Sequence, residues 1–516
     1  MKRLDPERLI VHTLRFIAVS SLVSLGEIVE ADEVHRWGFE QTGNQVSGET
    51  GLVTQIDPNS ELILAWSSRL GTEAHSTPVV ANGRVFIGTN NNEPRDPKHQ
   101  GDRGVMMCFS EADGELLWQL VVPKRSEDRY FDWPNSGISS PVTVQGNYVY
   151  LVTNRGEAVC LDAQGLANGN DGPFLDESRH MTPSGEALLP IGMMDADIVW
   201  LYDLTAGAGI WSHDGAHTSI LIHGDYLYLN SGTGVDSSHR RIRRPDAPSM
   251  VVLDKRSGTL RGREHEGIGP NIFHCTWSPP TLTNLDEDPV VLLAAGNGMI
   301  YGFDALPSMP ASVGIASLSR RWLFDFDPTA PKKDVHRFHQ NKKEGPSNFY
   351  GMPVVVGDEV YIAGGGDLWW GKNESWLKRL SLEDGSAADP VWSYPLGRHV
   401  MSTPAVHEGL VFIADTSRNV HCVDRETGKR LWIHESKGEF WASPMVADGK
   451  VYIGNRRGEF FVFAASPEKA LLHSVTFGAP ISATVVAANE TVYVATMFQL
   501  YAFRVGAPVR KLSSLR

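Results

Sequence analysis

Two consecutive stretches decide the fold: STPAVHEGLVFIADTSRNVHCVDRETGKRLW at residues 402–432 and SPMVADGKVYIGNRRGEFFVFA at residues 443–464. Each begins with a short apolar run that ends in an acidic residue and a glycine. A β-branched and aromatic run follows, then a polar turn and a third apolar run. Runs this short and this regularly punctuated are typical of antiparallel strands. Pro404 and Pro444 lie 40 residues apart, a period that fits one four-stranded blade of a β-propeller.

Looser copies of this pattern extend through the rest of the chain. The eight copies begin near Ser76, Ser139, His217, Trp277, Gly351, Ser402, Ser443 and Ile481. They predict an all-β fold, an eight-bladed β-propeller of four-stranded antiparallel blades over residues 61–505. The last copy holds only three strands, whereas Leu62–Trp66 forms an unpaired strand near the other end of the chain. We therefore expect this N-terminal strand to close the ring as the outer strand of blade eight.

A recurrent motif marks the turn between the third and fourth strands. It reads CVDRETGKRLW at residues 422–432 and, more loosely, CFSEADGELLW at residues 108–118. It resembles the A-x-D-x-x-T-G-x-x-x-W repeat of the pyrroloquinoline-quinone-type propellers. That superfamily includes quinoprotein alcohol dehydrogenases and the outer-membrane-protein assembly factor B. The resemblance covers nearly all of residues 60–505 and implies the fold, but catalytic and non-catalytic members share the repeat.

The beginning of the chain resembles an export signal. Four basic residues precede an apolar stretch at residues 16–25, and small residues at Val29 and Ala31 fit a cleavage site. We therefore predict a signal peptide over residues 1–31, an N-terminal extension over 32–60, the propeller, and a C-terminal tail over 506–516. The mature chain is then periplasmic or extracellular, with no transmembrane segment. The alternative is an N-terminus retained in the cytoplasm.

Charge and cysteine content exclude several classes of function. The chain of 516 residues has a formal net charge of −14, which argues against nucleic acid or an anionic membrane surface as its main partner. Its four cysteines carry no paired zinc signature and no haem-attachment signature. Cys108, Cys160 and Cys422 occupy the third strand of three different blades, too far apart for disulfides. We expect all four to be small buried core residues.

Histidines and aromatic residues are enriched just before the innermost strands. In this superfamily those strands begin at one mouth of the channel, here called the top, where most of the long loops also open. The candidate ligand-binding residues there are Glu73, His75, His213, Asp214, His217, Asn271, His274, Trp277, Tyr350, His399 and Trp441. Because imidazole suits divalent metals, His75, His217, His274 and His399 are candidate metal ligands. In the competing interpretation these side chains fill the funnel and bond to loop backbone.

These features predict a binding or assembly scaffold, monomeric, with a protein, carbohydrate or small molecule at the top mouth. One alternative is a quinone- or metal-dependent oxidoreductase acting on an alcohol or sugar. The other is a polysaccharide-binding or sensor module. For the enzyme, the resemblance implies pyrroloquinoline quinone with calcium beneath a ring of adjacent cysteines. No two cysteines are adjacent in this chain, and no catalytic residue is assigned.

We expect export to remove about the first 31 residues, because the basic start, the short apolar core and the small residues have the order of a cleavable signal. The removed segment holds four positive and four negative side chains, so cleavage leaves the net charge unchanged. Mass spectrometry of the periplasmic or secreted fraction measures the new N-terminus. Recovery of the intact N-terminus from the cytosol would contradict export.

Overall fold

The computed structural model describes residues 34–125, 128–215, 219–308, 314–382 and 389–506. The predicted signal peptide lies outside these ranges, as does all of the predicted C-terminal tail except Gly506. Within the ranges, the strands form eight sheets that each contain four antiparallel blade strands, which confirms the predicted eight-bladed β-propeller. No helix in the described ranges is both long enough and apolar enough to cross a membrane.

The strands are numbered in chain order, and β1 (Val34–His35) and β2 (Leu64–Arg69) precede the first blade. Blade one contains β3 (Val79–Ala81), β4 (Arg84–Asn90), β5 (Arg103–Ser110) and β6 (Leu116–Pro123). Blade two contains β7 (Thr143–Gln145), β8 (Tyr148–Val152), β9 (Glu157–Asp162) and β10 (Ile198–Asp203). Blade three contains β11 (Leu221–His223), β12 (Tyr226–Asn230), β13 (Met250–Asp254) and β14 (Leu260–Arg263). Blade four contains β15 (Thr281–Leu285), β16 (Asp288–Ala294) and β17 (Met299–Asp304), then, after the short β18 (Ala316–Ser317), β19 (Arg320–Asp325).

Blades five to eight continue the same order. Blade five contains β20 (Val354–Val356), β21 (Glu359–Gly365), β22 (Ser375–Ser381) and β23 (Trp392–Pro395). Blade six contains β24 (Ala405–His407), β25 (Leu410–Ala414), β26 (Asn419–Asp424) and β27 (Arg430–Glu435). Blade seven contains β28 (Met445–Ala447), β29 (Lys450–Gly454), β30 (Glu459–Ala464) and β31 (Leu471–Thr476), and blade eight β32 (Val486–Ala488), β33 (Thr491–Ala495) and β34 (Gln499–Arg504). The helices are α1 (Glu177–Met181), α2 (Leu204–Ala208) and the 3-10 turns Gly165–Asn168, Gly269–Asn271 and Val335–Phe338.

At five seams, a tryptophan on the outer strand of one blade is hydrogen-bonded to the next blade. The indole N–H donates across the seam to a backbone carbonyl in the third turn of the following blade, at 2.8–3.1 Å. These pairs are Trp66 with Glu111, Trp118 with Ala163, Trp200 with Lys255, Trp392 with Arg425, and Trp432 with Ser466. At three seams a left-handed glycine lies against the ring, so that a Cβ there would come within 2.6 Å of it: Gly114 on Trp66, Gly258 on Trp200 and Gly428 on Trp392. The glycine of this turn is therefore part of the blade seam.

The ring closes through the N-terminal strand. β2 pairs antiparallel with β34, with Ser67 opposite Tyr501 and Arg69 opposite Gln499. This pairing supplies the missing outer strand of blade eight, as the sequence predicts, and leaves no open sheet edge at the joint. Trp66 then crosses the seam to blade one, so a strand from one end of the chain joins the first and last blades.

The N-terminal extension, predicted only as an irregular segment, lies inside the ring. Residues 36–47, here called the plug, pass along the innermost strands of blades four to seven. Backbone hydrogen bonds join Gln41 to Leu282, Thr42 to Val355, and Gln45 and Ser47 to Val446. The side-chain amide of Asn44 bonds to the backbone of Val406. Its nitrogen donates to the carbonyl oxygen of Val406, and its oxygen accepts from the N–H of Val406. The plug thus satisfies backbone groups that innermost strands would otherwise direct into the channel.

The four cysteines are all free and buried, as expected. Cys108, Cys160 and Cys422 each lie opposite an outer-strand tryptophan of the same blade, in matching registers. They therefore act as small core residues beneath the indoles.

We expect Trp66→Ala to lower the free energy of unfolding by about 3–5 kcal/mol, because it removes a buried indole from the closing seam. Urea unfolding followed by circular dichroism measures this change. Leu62→Ala is the control: this side chain is 71% exposed just before β2, and its loss should cost less than about 0.5 kcal/mol. Equal stability of the two variants would show that this strand does not hold the ring closed.

Candidate functional site

A cavity of about 840 Å³ opens at the top of the ring. Residues just before several innermost strands line it, which places the start of these strands at this mouth. Trp37 of the plug also lines it, and its indole N–H donates to Thr484 Oγ1 at 3.2 Å. The other aromatic rings of the lining are Tyr130, Trp133, Trp277, Tyr350, Trp369, Trp370 and Trp441. This arrangement, the aromatic cup, has the size range and the mostly apolar lining of small-molecule sites.

The sequence-predicted residues differ in where the structure places them. Seven of them line the cup: Glu73, His75, Asp214, His274, Trp277, Tyr350 and Trp441. His213 is buried directly behind the wall. Asn271 lies in a 3-10 turn outside the lining, and His399 is buried with its Nε2 2.9 Å from the carbonyl oxygen of Lys372. His217 lies outside the described residues.

The three predicted metal ligands that the structure describes, His75, His274 and His399, do not lie together. His75 stacks on Trp441 with ring centroids 5.9 Å apart, and its Nε2 lies 3.6 Å from Glu73. His399 bonds to backbone. Among the described residues, the group of three histidines close enough to share an ion is His213, His239 and His274.

Sequence reasoning missed several residues of the site. His239 lies in the loop between β12 and β13, and Asp367, Trp369 and Trp370 lie in the loop between β21 and β22. Both loops are among the long ones predicted at the top mouth, but neither has a repeat position from which a contact could be inferred. Trp369 is central to the cup, because its ring lies 5.3–6.2 Å from those of His274, Trp277, Tyr350 and Trp441.

Asp367 organises the wall of the cup from blade five. Its fully buried carboxylate accepts hydrogen bonds from His274 Nδ1 at 2.7 Å, from the Tyr350 hydroxyl, and from the backbone N–H groups of Trp369 at 3.0 Å and Trp370 at 2.7 Å. Four donors around one carboxylate offset much of the cost of burying its charge. The same contacts fix the rings of His274 and Trp369 against the cavity.

The histidine cluster continues from this carboxylate. His274 Nε2 lies 3.0 Å from His213 Nε2, and His213 Nδ1 lies 2.8 Å from the carbonyl oxygen of Val235. His239 packs edge-on against His213, with ring centroids 5.2 Å apart. Asp214 Oδ2 is 3.6 Å from His213 Nε2. Blades three, four and five thus contribute to one polar cluster beside an aromatic cavity.

Burial and neighbouring charges separate the pKa values of this cluster. Burial, reinforced by the nearby His274 and His239, lowers the pKa of His213 well below its usual range. Burial also lowers that of His274, but the adjacent Asp367 carboxylate outweighs it, so the pKa of His274 is raised. Burial raises the pKa of Asp214 to about 6. The cluster therefore favours a neutral His213 beside an ion pair of His274 and Asp367.

The cysteines do not fit the quinone arrangement that the family resemblance implies for enzymes. Each of the four thiols is buried in a different blade, so no adjacent pair faces the mouth. The carboxylate of Asp367 is occupied by four protein donors. No step of a quinone reaction is therefore assigned to these residues.

Comparison with known proteins agrees with the fold. The architecture defines a pyrroloquinoline-quinone-type β-propeller. A family model described as outer membrane protein assembly factor BamB matches residues 101–263 and 373–467, half of the chain. The chain therefore belongs to this family.

Individual relatives are more distant. The chain is 21% identical over 439 residues to the outer membrane protein assembly factor BamB of Shewanella oneidensis, covering 81% of this chain and 91% of that protein. It is 32% identical over 99 residues to the quinohemoprotein alcohol dehydrogenase of Comamonas testosteroni, covering 17% of this chain but only 14% of that enzyme. The structure of a europium-containing methanol dehydrogenase matches with a TM-score of 0.56 at 12% identity, covering 91% of this chain and 98% of that one. The last similarity shows the fold alone.

We expect Asp367→Asn to lower the free energy of unfolding by about 3–5 kcal/mol at pH 7, because it removes one partner of a buried charged pair. Urea unfolding measures the difference. Asp358→Asn is the matched control, since Asp358 is an exposed carboxylate on the same blade and its change should be nearly neutral. If both variants are equally stable, Asp367 does not organise the wall.

Proposed function

We propose that this protein is an exported binding scaffold that holds a ligand, or a segment of a partner protein, in the aromatic cup. The observation that carries the proposal is the cup itself: a cavity of about 840 Å³ walled by aromatic rings from several blades. Such rings offer large apolar faces, and a rigid propeller fixes them before a ligand arrives.

Polar groups at the rim of the cup would allow a ligand to be recognised by hydrogen bonds and charge, in addition to the burial of its apolar surface. Glu73 and His75 lie on one side, next to Trp441. The guanidinium of Arg456 lies 4.4 Å from the centre of the Trp441 ring and donates to Ser482 Oγ at 2.7 Å. A ring stacked on these aromatic faces could therefore also meet charged and hydroxyl groups, the combination that binds sugars and polar peptide segments.

The family favours a protein partner, because the description of the family model names an outer membrane protein assembly factor. The relative named as an assembly factor is matched over 91% of its length, whereas the dehydrogenase relative is matched over 14%. The scaffold proposal therefore has wider support along the chain than the quinone-dependent oxidoreductase.

We expect Trp369→Ala to weaken binding in the cup by about 2 kcal/mol, or about 30-fold, because this ring contacts four others at the centre of the cavity. Two measurements cover the two classes of ligand. Tryptophan fluorescence is titrated with a panel of soluble oligosaccharides. A photoreactive residue placed at Trp133, 37% exposed at the rim, captures protein partners in cells.

Tyr148 provides the control for both measurements. It is exposed at the start of β8, at the end of blade two opposite the mouth. Tyr148→Ala should leave titrations unchanged, and a photoreactive residue there should not capture the partner. Absence of both saturable quenching and rim-specific adducts, or their persistence in Trp369→Ala, would contradict binding in the cup.

A further inference from the structure

We propose that His213, His239 and His274 bind one divalent transition-metal ion, of the class represented by Zn²⁺, in the wall of the aromatic cup. One ligand nitrogen from each of the three histidines lies within 4.8 Å of the others. Bonds from zinc to imidazole are about 2.0–2.1 Å long, so two ligands of one ion lie roughly 3–4 Å apart. Small side-chain rotations bring the three nitrogens to that spacing.

The hydrogen bonds of the two buried rings determine which nitrogens face the ion. The carbonyl oxygen of Val235 can only accept, so the proton of neutral His213 lies on Nδ1 and its Nε2 carries a lone pair. Asp367 accepts from His274 Nδ1 in the same way. Neutral His274 therefore also turns the lone pair of Nε2 toward His213, and the two nitrogens lie 3.0 Å apart. The contact therefore needs either a proton on His274 Nε2, which donates to His213, or a metal ion that replaces this proton and is bound by both nitrogens.

The outer contacts have the form that metal-binding histidines commonly show. A ligating imidazole almost always donates its other N–H to a carboxylate or a backbone carbonyl, which fixes its tautomer and orientation. His274 donates to Asp367, which is itself held by Tyr350, and His213 donates to Val235. These supports lie in blades three and five, outside the candidate ligand set.

The third ligand and the open side come from the cup. His239 and His274 both line the cavity, and Asp214 presents a carboxylate 3.6 Å from His213 Nε2. Asp214 Oδ1 is buried and has no hydrogen-bond partner within the described part of the chain. An ion held by three imidazoles would therefore keep a position for water or Asp214 on the cavity side, as open zinc sites do.

The donor set selects the class of metal. Three imidazole nitrogens suit Zn²⁺, Cu²⁺, Ni²⁺ and Fe²⁺, whereas Ca²⁺ and Mg²⁺ require mostly oxygen ligands. The site therefore differs in chemistry from a quinone–calcium centre. It is also independent of the function proposed above, because it can be tested with Zn²⁺ alone.

The test uses the mature protein, free of any histidine tag and stripped of metal with a chelator. Titration with Zn²⁺ in competition with a chromophoric chelator should give one ion per chain. X-ray absorption of the loaded protein should show imidazole scattering at about 2.0–2.1 Å. The His239→Ala variant should lose stoichiometric Zn²⁺ binding. It should keep the circular dichroism spectrum of the parent protein, because His239 is a partly exposed loop residue. His265→Ala, an exposed histidine outside the cluster, should bind like the parent protein.

Three outcomes would overturn the proposal. The first is less than stoichiometric Zn²⁺ in the parent protein, in which case a proton bridges His213 and His274. The second is unchanged binding in His239→Ala. The third is loss of binding in His75→Ala but not in His239→Ala, which would move the metal to the other side of the cup. The absorption measurement needs no variant, so misfolding of a variant cannot hide a failure.

Discussion

The indole that crosses the seam at five blade junctions is the interaction on which the register of the propeller depends. A blade is a sheet with two apolar faces, and it becomes stable only when both are covered by its neighbours. Burial of apolar area alone would allow neighbouring blades to slide past each other. A hydrogen bond from one N–H to one carbonyl oxygen fixes their relative position. The left-handed glycine beneath Trp66, Trp200 and Trp392 lets the ring approach the turn closely. The same residues therefore define the repeat in the sequence and the register between blades in the structure.

Closure of the ring creates a second constraint at its centre. Innermost strands pair on one side only, so their other backbone groups point into the channel and need partners. The plug provides them for four consecutive blades, with Asn44 using its side-chain amide where the backbone does not reach. It also places Trp37 in the lining of the cup. The chain segment that stabilises the channel thus also shapes the binding cavity.

The sequence predicts the fold more fully than the site because the two depend on different signals. The strand period, the glycine of the third turn and the seam tryptophans recur, so each copy supports the others. His213, Asp214 and His274 could be named because they immediately precede innermost strands. His239 and Asp367 occupy long loops whose conformation does not recur from blade to blade. His239 also adopts a left-handed backbone conformation (φ 54°), which the neighbouring sequence does not predict. The sequence indicates these two residues only as a histidine and an aspartate in loops that are expected at the mouth.

The division between seams and mouth explains how such a fold accommodates a new site. The seams are apolar, and a polar substitution there would cost much stability. Polar clusters are therefore tolerated at the mouth, where loops can supply hydrogen-bond donors. Asp367 illustrates this, because two of its four hydrogen bonds come from backbone N–H groups of its own loop and need no particular side chain. The remaining two, from His274 and Tyr350, join blades four and five. The buried charge at the mouth therefore depends on the relative position of blades four and five, because two of its four hydrogen bonds span these blades.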